Sequence, residues 1–171
     1  MKIIGVDPGI SGGVVLLDTE ACSLTVADMP TEPSTKGRRL ASSALLTVFL
    51  HDVQPDHIFL EEVGVRPGEG AVGAFSFGRG LGRLEGVAAG TRTALTTVTP
   101  QEWKRVTKTP ADKKRAIARA YQLFPRCVKL FQGPRGGEKD GRAEAALIAF
   151  YGAMKLGVVP KAPIEPAEFP A

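Results

Sequence analysis

Carboxylates follow or begin apolar segments at several places in this chain. Asp7 ends the run KIIGVD, Glu61 and Glu62 end HIFLEE, and Asp140 and Glu144 lie in EKDGRAEAALIAFYG. A carboxylate beside buried apolar residues is costly unless a cation or a hydrogen bond compensates it. Three or four such groups brought together suit Mg²⁺ or Mn²⁺, which prefer hard oxygen ligands. Two such ions can align a nucleophile and a leaving group in phosphodiester hydrolysis, so a metal-dependent nuclease is the leading hypothesis.

The spacing of these acids gives each of them a different expected environment. Asp140 and Glu144 lie four residues apart in a helical pattern, so both carboxylates project from one helix face. Like charges at that spacing destabilise a helix unless a cation lies between them, although Asp140 can also serve as an N-terminal cap. Glu144 falls where the apolar face of the helix begins, which favours a functional role. Glu61 and Glu62 point to opposite faces of a strand, and periodicity alone does not choose between them.

Positive charge is concentrated in the second half of the chain. The whole sequence of 171 residues carries a net charge of +4, whereas residues 104–142 hold 12 Lys and Arg against 3 acids, a net +9. A solvated helix face is the ordinary explanation, but the run leads directly into the Asp140 segment, which favours a polyanion such as nucleic acid. The candidate DNA contacts in this stretch are Lys104, Arg105, Lys108 and Arg115.

Composition restricts the class of protein. With 43% hydrophobic and 23% charged residues, the sequence is typical of one globular domain. The absence of a signal-peptide pattern and of a membrane-length apolar run predicts a cytoplasmic protein without membrane contact. Cys22 and Cys127 have no partners at metal-binding spacing, which predicts free thiols in a reducing compartment. His51, His57 and Trp103 are predicted to be packing or surface residues.

Apolar periodicity predicts main elements in the order βββαβαβαα. The strands fall at 2–7, 13–18, 23–29, 56–61 and 94–100, and the helices at about 38–53, 75–90, 100–106, 111–124 and 138–156. Acids on the first strand, the fourth strand and the last helix are the layout of a ribonuclease-H-like fold. In this α/β fold, helices cover both faces of one mixed five-stranded sheet. We predict a nuclease domain over 1–157 and an irregular Pro-rich tail over 158–171.

The predicted helix at 75–90 follows a Gly-rich loop at 63–74 and combines aromatic, basic and small residues. Phe75 and Phe77, followed by Arg79 and Arg83, could stack on unpaired bases, although core packing explains one of the aromatic residues equally well. Glycines at 78, 80, 82 and 86 each cost a helix roughly 1 kcal/mol. Their presence therefore predicts close packing of this helix against another backbone.

Five segments together resemble the RuvC-type Holliday junction resolvases over roughly residues 1–157. They are IIGVDPGISGG, FLEEV, FSFGRGLGRLEG, TPQEWKRV and DGRAEAALIAFYG, and the last three are most similar to the phage branch of that family. The resemblance implies a crossover junction endodeoxyribonuclease with a ribonuclease-H-like fold. It further implies a homodimer that binds four-way DNA junctions and makes paired symmetric nicks, with two Mg²⁺ or Mn²⁺ ions per active site.

The same resemblance assigns roles to individual residues. By position, the catalytic and metal-binding acids correspond to Asp7, Glu61, Asp140 and Glu144. Bacterial members commonly carry two aspartates three residues apart in the last helix, whereas this chain has Asp and Glu four apart. Lys113 or Lys114 is the candidate catalytic lysine that stabilises charge developing on the phosphate. The glycine-rich helix is the expected dimer contact, which would place two active sites on strands of opposite polarity.

Three other interpretations stay open. Another ribonuclease-H-like nuclease, acting on RNA–DNA hybrids or rRNA precursors, would share the carboxylates. The segment IIGVDPGISGGVVLLD also resembles the first phosphate motif of actin-like and sugar-kinase nucleotide-binding modules, although those need two domains and 171 residues hold one. GVDPG by itself can also be a tight hairpin with an Asx-type turn. The third interpretation is a junction-binding protein without catalytic activity, and the presence of four acids argues against it.

Overall fold

The computed structural model of the chain describes residues 1–33, 39–62, 64, 68 and 70–169, without the side chain of Lys113. The strands are β1 (Lys2–Asp7), β2 (Gly13–Asp18), β3 (Ser23–Asp28), β4 (Thr31–Pro33), β5 (Arg39–Ala41), β6 (His57–Glu61), β7 (Ala94–Val98) and β8 (Glu165–Pro166). The helices are α1 (Ser43–Val53), α2 (Ala71–Gly90), α3 (Pro100–Thr107), α4 (Lys113–Leu123) and α5 (Asp140–Lys155), with a 3₁₀ turn at Val128–Phe131.

The central sheet has six strands in the order β7-β6-β1-β2-β3-β8. Strands β1, β2 and β3 form an antiparallel meander, whereas β6 is parallel to β1 and β7 is parallel to β6. Parallel neighbours need a crossover connection, and α1 leads into β6 while α2 joins β6 to β7. Hydrophobic clusters lie on both faces of the sheet. The predicted class, a mixed sheet covered by helices as in the ribonuclease-H-like fold, is confirmed. The sheet has six strands and not the predicted five, because β8 pairs with the edge of β3.

Strand β1 divides its side chains between the two faces with a period of two. Ile3 belongs to the core beneath α5, and Ile4 and Val6 belong to the core beneath α1 and α2. Gly5 lies on the α5 face, where a Cβ atom would stand only 2.2 Å from the carbonyl oxygen of Ala145. Only glycine permits this approach of helix to strand. Asp7, two residues further on, projects to the same face.

Helix α5 packs across β1 and β2, and ten of its 16 residues are buried. Its first turn is held against the turn that follows β1. Gly141 forms a bridge with Gly12 in that turn, and a Cβ at Gly141 would lie 2.4 Å from the carbonyl oxygen of Ser11. The backbone contact therefore fixes the beginning of α5 at the carboxyl end of β1.

The structure differs from the sequence-based prediction between β3 and α2. The start of the helix predicted at about 38–53 and the residues before it contain β4 and β5, which pair antiparallel. Helix α1 begins only at Ser43 and is capped by the Ser42 hydroxyl. The Gly-rich loop predicted at 63–74 lies partly outside the described residues, and its last four residues already belong to α2. Strands of three residues carry too little periodicity to be recognised in a sequence.

The predicted irregular tail is wrong for residues 165–166. Glu165 and Pro166 form β8 and pair in parallel with Ser23 and Leu24 of β3, while Ile164 is buried beside them. Pairing at a sheet edge needs only two residues here because the buried Ile164 anchors the segment. Within the described part of the chain, no helix is both long and apolar enough to cross a membrane.

Candidate active site

Three elements bring the predicted acids to one edge of the sheet. Asp7 is the last residue of β1 and Glu61 the last residue of the neighbouring parallel strand β6. The carboxyl ends of parallel strands meet at one edge, where open α/β sheets bind their ligands. Asp140 is the first residue of α5, whose start is held beside β1, and Glu144 follows one turn later.

Asp7 carries the clearest electrostatic mark of this convergence. Burial and, to a smaller degree, the charges of Glu61, Glu144 and Asp140 raise the pKa of Asp7 from its ordinary value to about 7. Among the described residues, the backbone N–H of Gly9 opposes the shift by donating a hydrogen bond of 3.2 Å to Oδ1. All three other acids therefore act on Asp7 through space. Its carboxylate is costly to ionise near neutral pH unless a cation lies nearby.

The structure resolves the alternation at the end of β6. Glu61 is buried and Glu62 is exposed, so Glu61 is the glutamate on the α5 face. The indole N–H of the fully buried Trp103 donates a hydrogen bond of 2.8 Å to Glu61 Oε1. Trp103 reaches Glu61 because β7 pairs Val98 with Glu61, and α3 starts two residues after Val98.

The two acids of α5 differ in their surroundings. Asp140 is not the cap residue of the helix, because Lys139 holds that position, so the capping interpretation is wrong. Its place in the first turn still matches the positive end of the helix dipole. Glu144 is largely buried and pairs with Lys104, whose Nζ lies 3.2 Å from Oε1 and 5.0 Å from the centre of the Trp103 ring.

The donor set suits a divalent metal ion, although the present side-chain positions do not enclose one. Among the described residues, no group of three His, Cys, Asp or Glu side chains is arranged to hold an ion. Glu61 and Glu144 are meanwhile engaged with Trp103 and Lys104. Three carboxylates around that of Asp7 nevertheless form the set of hard oxygen donors that Mg²⁺ and Mn²⁺ select.

The candidate lysines lie in different places. The side chain of Lys113 is outside the described part of the structure, and Lys114 is exposed in the first turn of α4. Lys104, predicted as a DNA contact, is ion-paired with Glu144, an acid of the site. Sequence reasoning missed the roles of Lys104 and Trp103 at the acids. The available signal was the pair Trp103 and Lys104 on the short helix that follows β7, because β7 neighbours the strand that ends in Glu61.

The other predicted DNA contacts fall into two groups. On α2, the Phe75 side chain is 69% exposed and Arg79 is exposed, whereas Phe77 is half-buried. Arg83 donates hydrogen bonds to Glu32 Oε1 at 2.9 Å and to a β5 carbonyl, which gives this arginine a structural role. The second group lies at α3 and α4 and consists of Arg105, Lys108 and Arg115, which are all exposed.

A basic groove of about 560 Å³ lies beside α3. It is lined by Pro100, Gln101, Lys104, Arg105, Lys108, Thr109, Pro110 and Ala111. Three of these residues are cationic and none is acidic. Lys104 belongs both to this groove and to the ion pair with Glu144, so the groove adjoins the acids directly.

Comparisons with known proteins agree with this architecture. No protein-family model and no curated protein matches the sequence. The structure is similar to Thermus thermophilus RuvC, with a TM-score of 0.60 and 18% identity, over 94% of this chain and 99% of that one. The same protein in complex with a Holliday junction substrate gives a TM-score of 0.60 at 16% identity, covering 94% of this chain and 98% of the other.

A eukaryotic protein shares the fold as well. Ydc2, the yeast mitochondrial Holliday junction resolvase, aligns with a TM-score of 0.58 and 17% identity over 90% of this chain and 77% of its own. At such identities the similarity establishes the fold, which is the ribonuclease-H-like fold of RuvC-type resolvases along nearly the whole chain.

Proposed function

We propose that this chain is a metal-dependent endonuclease that resolves four-way DNA junctions by paired, symmetric phosphodiester hydrolysis. The observation that carries the proposal is the gathering of Asp7, Glu61, Asp140 and Glu144 at one edge of the sheet. There, burial and the three neighbouring acids raise the pKa of Asp7 to about 7. A carboxyl group perturbed this strongly by burial and like charges is typical of functional sites. The structural similarity to two junction resolvases supports branched DNA as the substrate.

The four acids would hold Mg²⁺ or Mn²⁺, and we propose two ions per active site. When bound, such ions activate water and stabilise the departing oxygen of a phosphodiester. The chain's own residues position three of these acids: Lys104 pairs with Glu144, the Trp103 N–H donates to Glu61, and the Gly9 N–H donates to Asp7. Lys113 or Lys114 remains our candidate for stabilising negative charge on the phosphate.

The basic groove beside α3 supports a path for one DNA strand. Arg105 and Lys108 are exposed along it, and Lys104 connects it to Glu144. A phosphate backbone bound in the groove would therefore lie next to Lys104 and its partner Glu144 at the acidic edge. On α2, the exposed ring of Phe75 could stack on an unpaired base near the crossover, as single-stranded binding proteins do.

The open face of α2 supports a homodimer. Gly78, Gly82 and Gly86 recur every four residues, all are exposed, and a Cβ at any of them would meet no described atom within 4 Å. Packing against the described part of the chain therefore does not explain the stripe. A second copy using the same stripe would bring two helices close together and set two active sites on one junction.

The deciding experiment compares substrates with purified protein. Four-way junction, matched duplex, RNA–DNA hybrid and single-stranded DNA are incubated with Mg²⁺, with Mn²⁺ and with EDTA. We expect symmetric nicks on the junction alone and no cleavage in EDTA. Preferred cleavage of the RNA–DNA hybrid would indicate that the chain is instead a ribonuclease-H-like nuclease of the hybrid-cleaving class. Junction binding without cleavage under every metal condition would contradict the proposal that the chain is an enzyme.

A further inference from the structure

A neutral hydrogen-bond donor faces one acid of the site from inside the core. Trp103 has no exposed surface and Glu61 is buried, so their bond of 2.8 Å is shielded from water. Hydrogen bonds to charged groups are stronger than neutral ones, and a shielded bond keeps its partners in one orientation. One oxygen of Glu61 is thereby fixed in direction.

The chemistry of indole distinguishes this contact from an ion pair. The ring nitrogen is a donor only, carries no charge and does not titrate. It can therefore satisfy a buried carboxylate while leaving its negative charge intact for a cation. Lysine or arginine at the same place would neutralise Glu61 and compete with a metal. By contrast, Lys104 already pairs with the other glutamate, Glu144.

Contacts on both sides of Trp103 hold helix α3 in position. Thr99 caps the helix, and Glu102 Oε1 accepts hydrogen bonds from the Tyr151 hydroxyl at 2.6 Å and from Lys155 Nζ at 3.2 Å. Burial and the neighbouring Glu102 raise the pKa of Tyr151 to about 12, so its hydroxyl stays protonated. Glu102, Trp103 and Lys104 thus tie one short helix to α5, to β6 and again to α5.

We propose that Trp103 is a positioning residue for the nuclease reaction: its N–H orients the Glu61 carboxylate for metal binding. The inference rests on the proposed function. Residues that orient a metal ligand typically change metal affinity or activity by about 10- to 100-fold when they are lost. Trp103 should therefore act on the metal-dependent step and not on DNA binding.

The first test removes the indole N–H of Trp103 and retains an aromatic ring at that position. The Trp103→Phe variant and a chain carrying benzothienylalanine at position 103, which replaces N–H by sulfur, are compared with Phe124→Leu, a buried control in the same core cluster. We expect the two position-103 variants to lower kcat by about 10-fold or more, and to raise the Mg²⁺ requirement similarly. Junction affinity in Ca²⁺ should stay within about twofold of wild type.

The second test needs no cleavage. Trp103 is the single tryptophan of the chain, so one indole N–H signal in the proton NMR spectrum reports on Glu61. We expect Glu61→Gln to shift that signal, and Mg²⁺ to move it in wild type but not in Asp7→Asn. An indole signal unaffected by both Glu61→Gln and Mg²⁺ overturns the proposal.

The outcomes separate the positioning role from the function itself. If the sulfur analogue folds and retains wild-type kcat and Mg²⁺ dependence, Trp103 is only a core residue. A loss matched by Phe124→Leu leads to the same conclusion. If wild type cleaves no nucleic acid, the proposed function fails, whereas a Mg²⁺-dependent indole shift would still establish that Trp103 orients a metal ligand.

Discussion

Replacing Asp7 by asparagine should abolish cleavage and at the same time stabilise the metal-free fold. The folded protein holds the Asp7 proton up to a pKa of about 7, whereas the unfolded chain releases it near the ordinary value of 3.8. Because the folded pKa is raised, the associated stability is fully present below 3.8 and is lost as the pH rises to about 7. Above that pH, wild type must fold with an ionised Asp7 that is desolvated and repelled by the neighbouring acids. The asparagine variant carries no charge there and avoids this cost.

The size of the effect follows from the shift. Three pKa units correspond to about 4 kcal/mol at about 1.4 kcal/mol each, which is a ceiling. Asp7 is only half-buried in accessible surface, and solvent screening reduces the expected gain to about 2 kcal/mol. For a chain of this length that gain raises Tm by roughly 4–8 °C. Asparagine keeps the oxygen that accepts the Gly9 N–H, so little is lost in exchange.

The assay is thermal unfolding in EDTA from pH 4 to pH 8.5, with Asp52→Asn as a control that makes the same change of charge on exposed α1. The advantage of Asp7→Asn should be near zero at pH 4, grow with pH and level off above about 7. Mg²⁺ should then stabilise wild type and not the variant, because ligand binding to the native state adds stability. A gain in Tm that is independent of pH, or no gain in Tm at pH 8, would refute the assignment of Asp7 as a desolvated acid whose charge requires a cation.

Further measurements address the neighbouring residues. Glu61→Gln should lower kcat by at least about 100-fold and Glu62→Gln by less than about threefold, since only the former lies on the α5 face. Gly82→Leu should leave Tm unchanged within a few degrees and convert dimers to monomers in analytical ultracentrifugation; a monomeric wild type would contradict the dimer. Replacing Arg105 and Lys108 by glutamine should reduce the slope of log K against log salt by about 0.9 for each phosphate that the protein no longer neutralises. An unchanged slope would remove these two residues from the DNA path.

The sequence was sufficient for the elements whose periodicity extends over several residues. Strands β1, β2, β3, β6 and β7 and the long helix α5 lie where their apolar patterns predicted, and the ribonuclease-H-like class followed from their order. The β4–β5 pair and β8 were not recognisable, because strands of two or three residues gain their stability from pairing partners elsewhere in the fold. Propensity contains no information about those partners.

The contacts of α3 show a different limit. The sequence placed Trp103 among packing residues, and its burial agrees. Its hydrogen bond to Glu61 depends on the β6–β7 register, which pairs Glu61 with Val98, and on the direction in which α3 leaves β7. Neither quantity can be read from the local pattern around Trp103. Lys104 is a similar case. Its charge predicted a DNA contact, whereas its ion pair with Glu144 depends on where the fold places α5.

The choice between Glu61 and Glu62 shows how a global contact fixes a local ambiguity. Alternation along β6 places Phe59 and Glu61 on one face and Leu60 and Glu62 on the other. Phe59 packs against Tyr151 and fills the space above Gly152 of α5, so its face is the α5 face. Gly5 brings β1 against the same helix, and alternation then directs Asp7 toward that helix too. A shift of β6 by one residue would turn both Phe59 and Glu61 away from α5. The packing of an aromatic ring two residues earlier therefore determines which carboxylate can join Asp7.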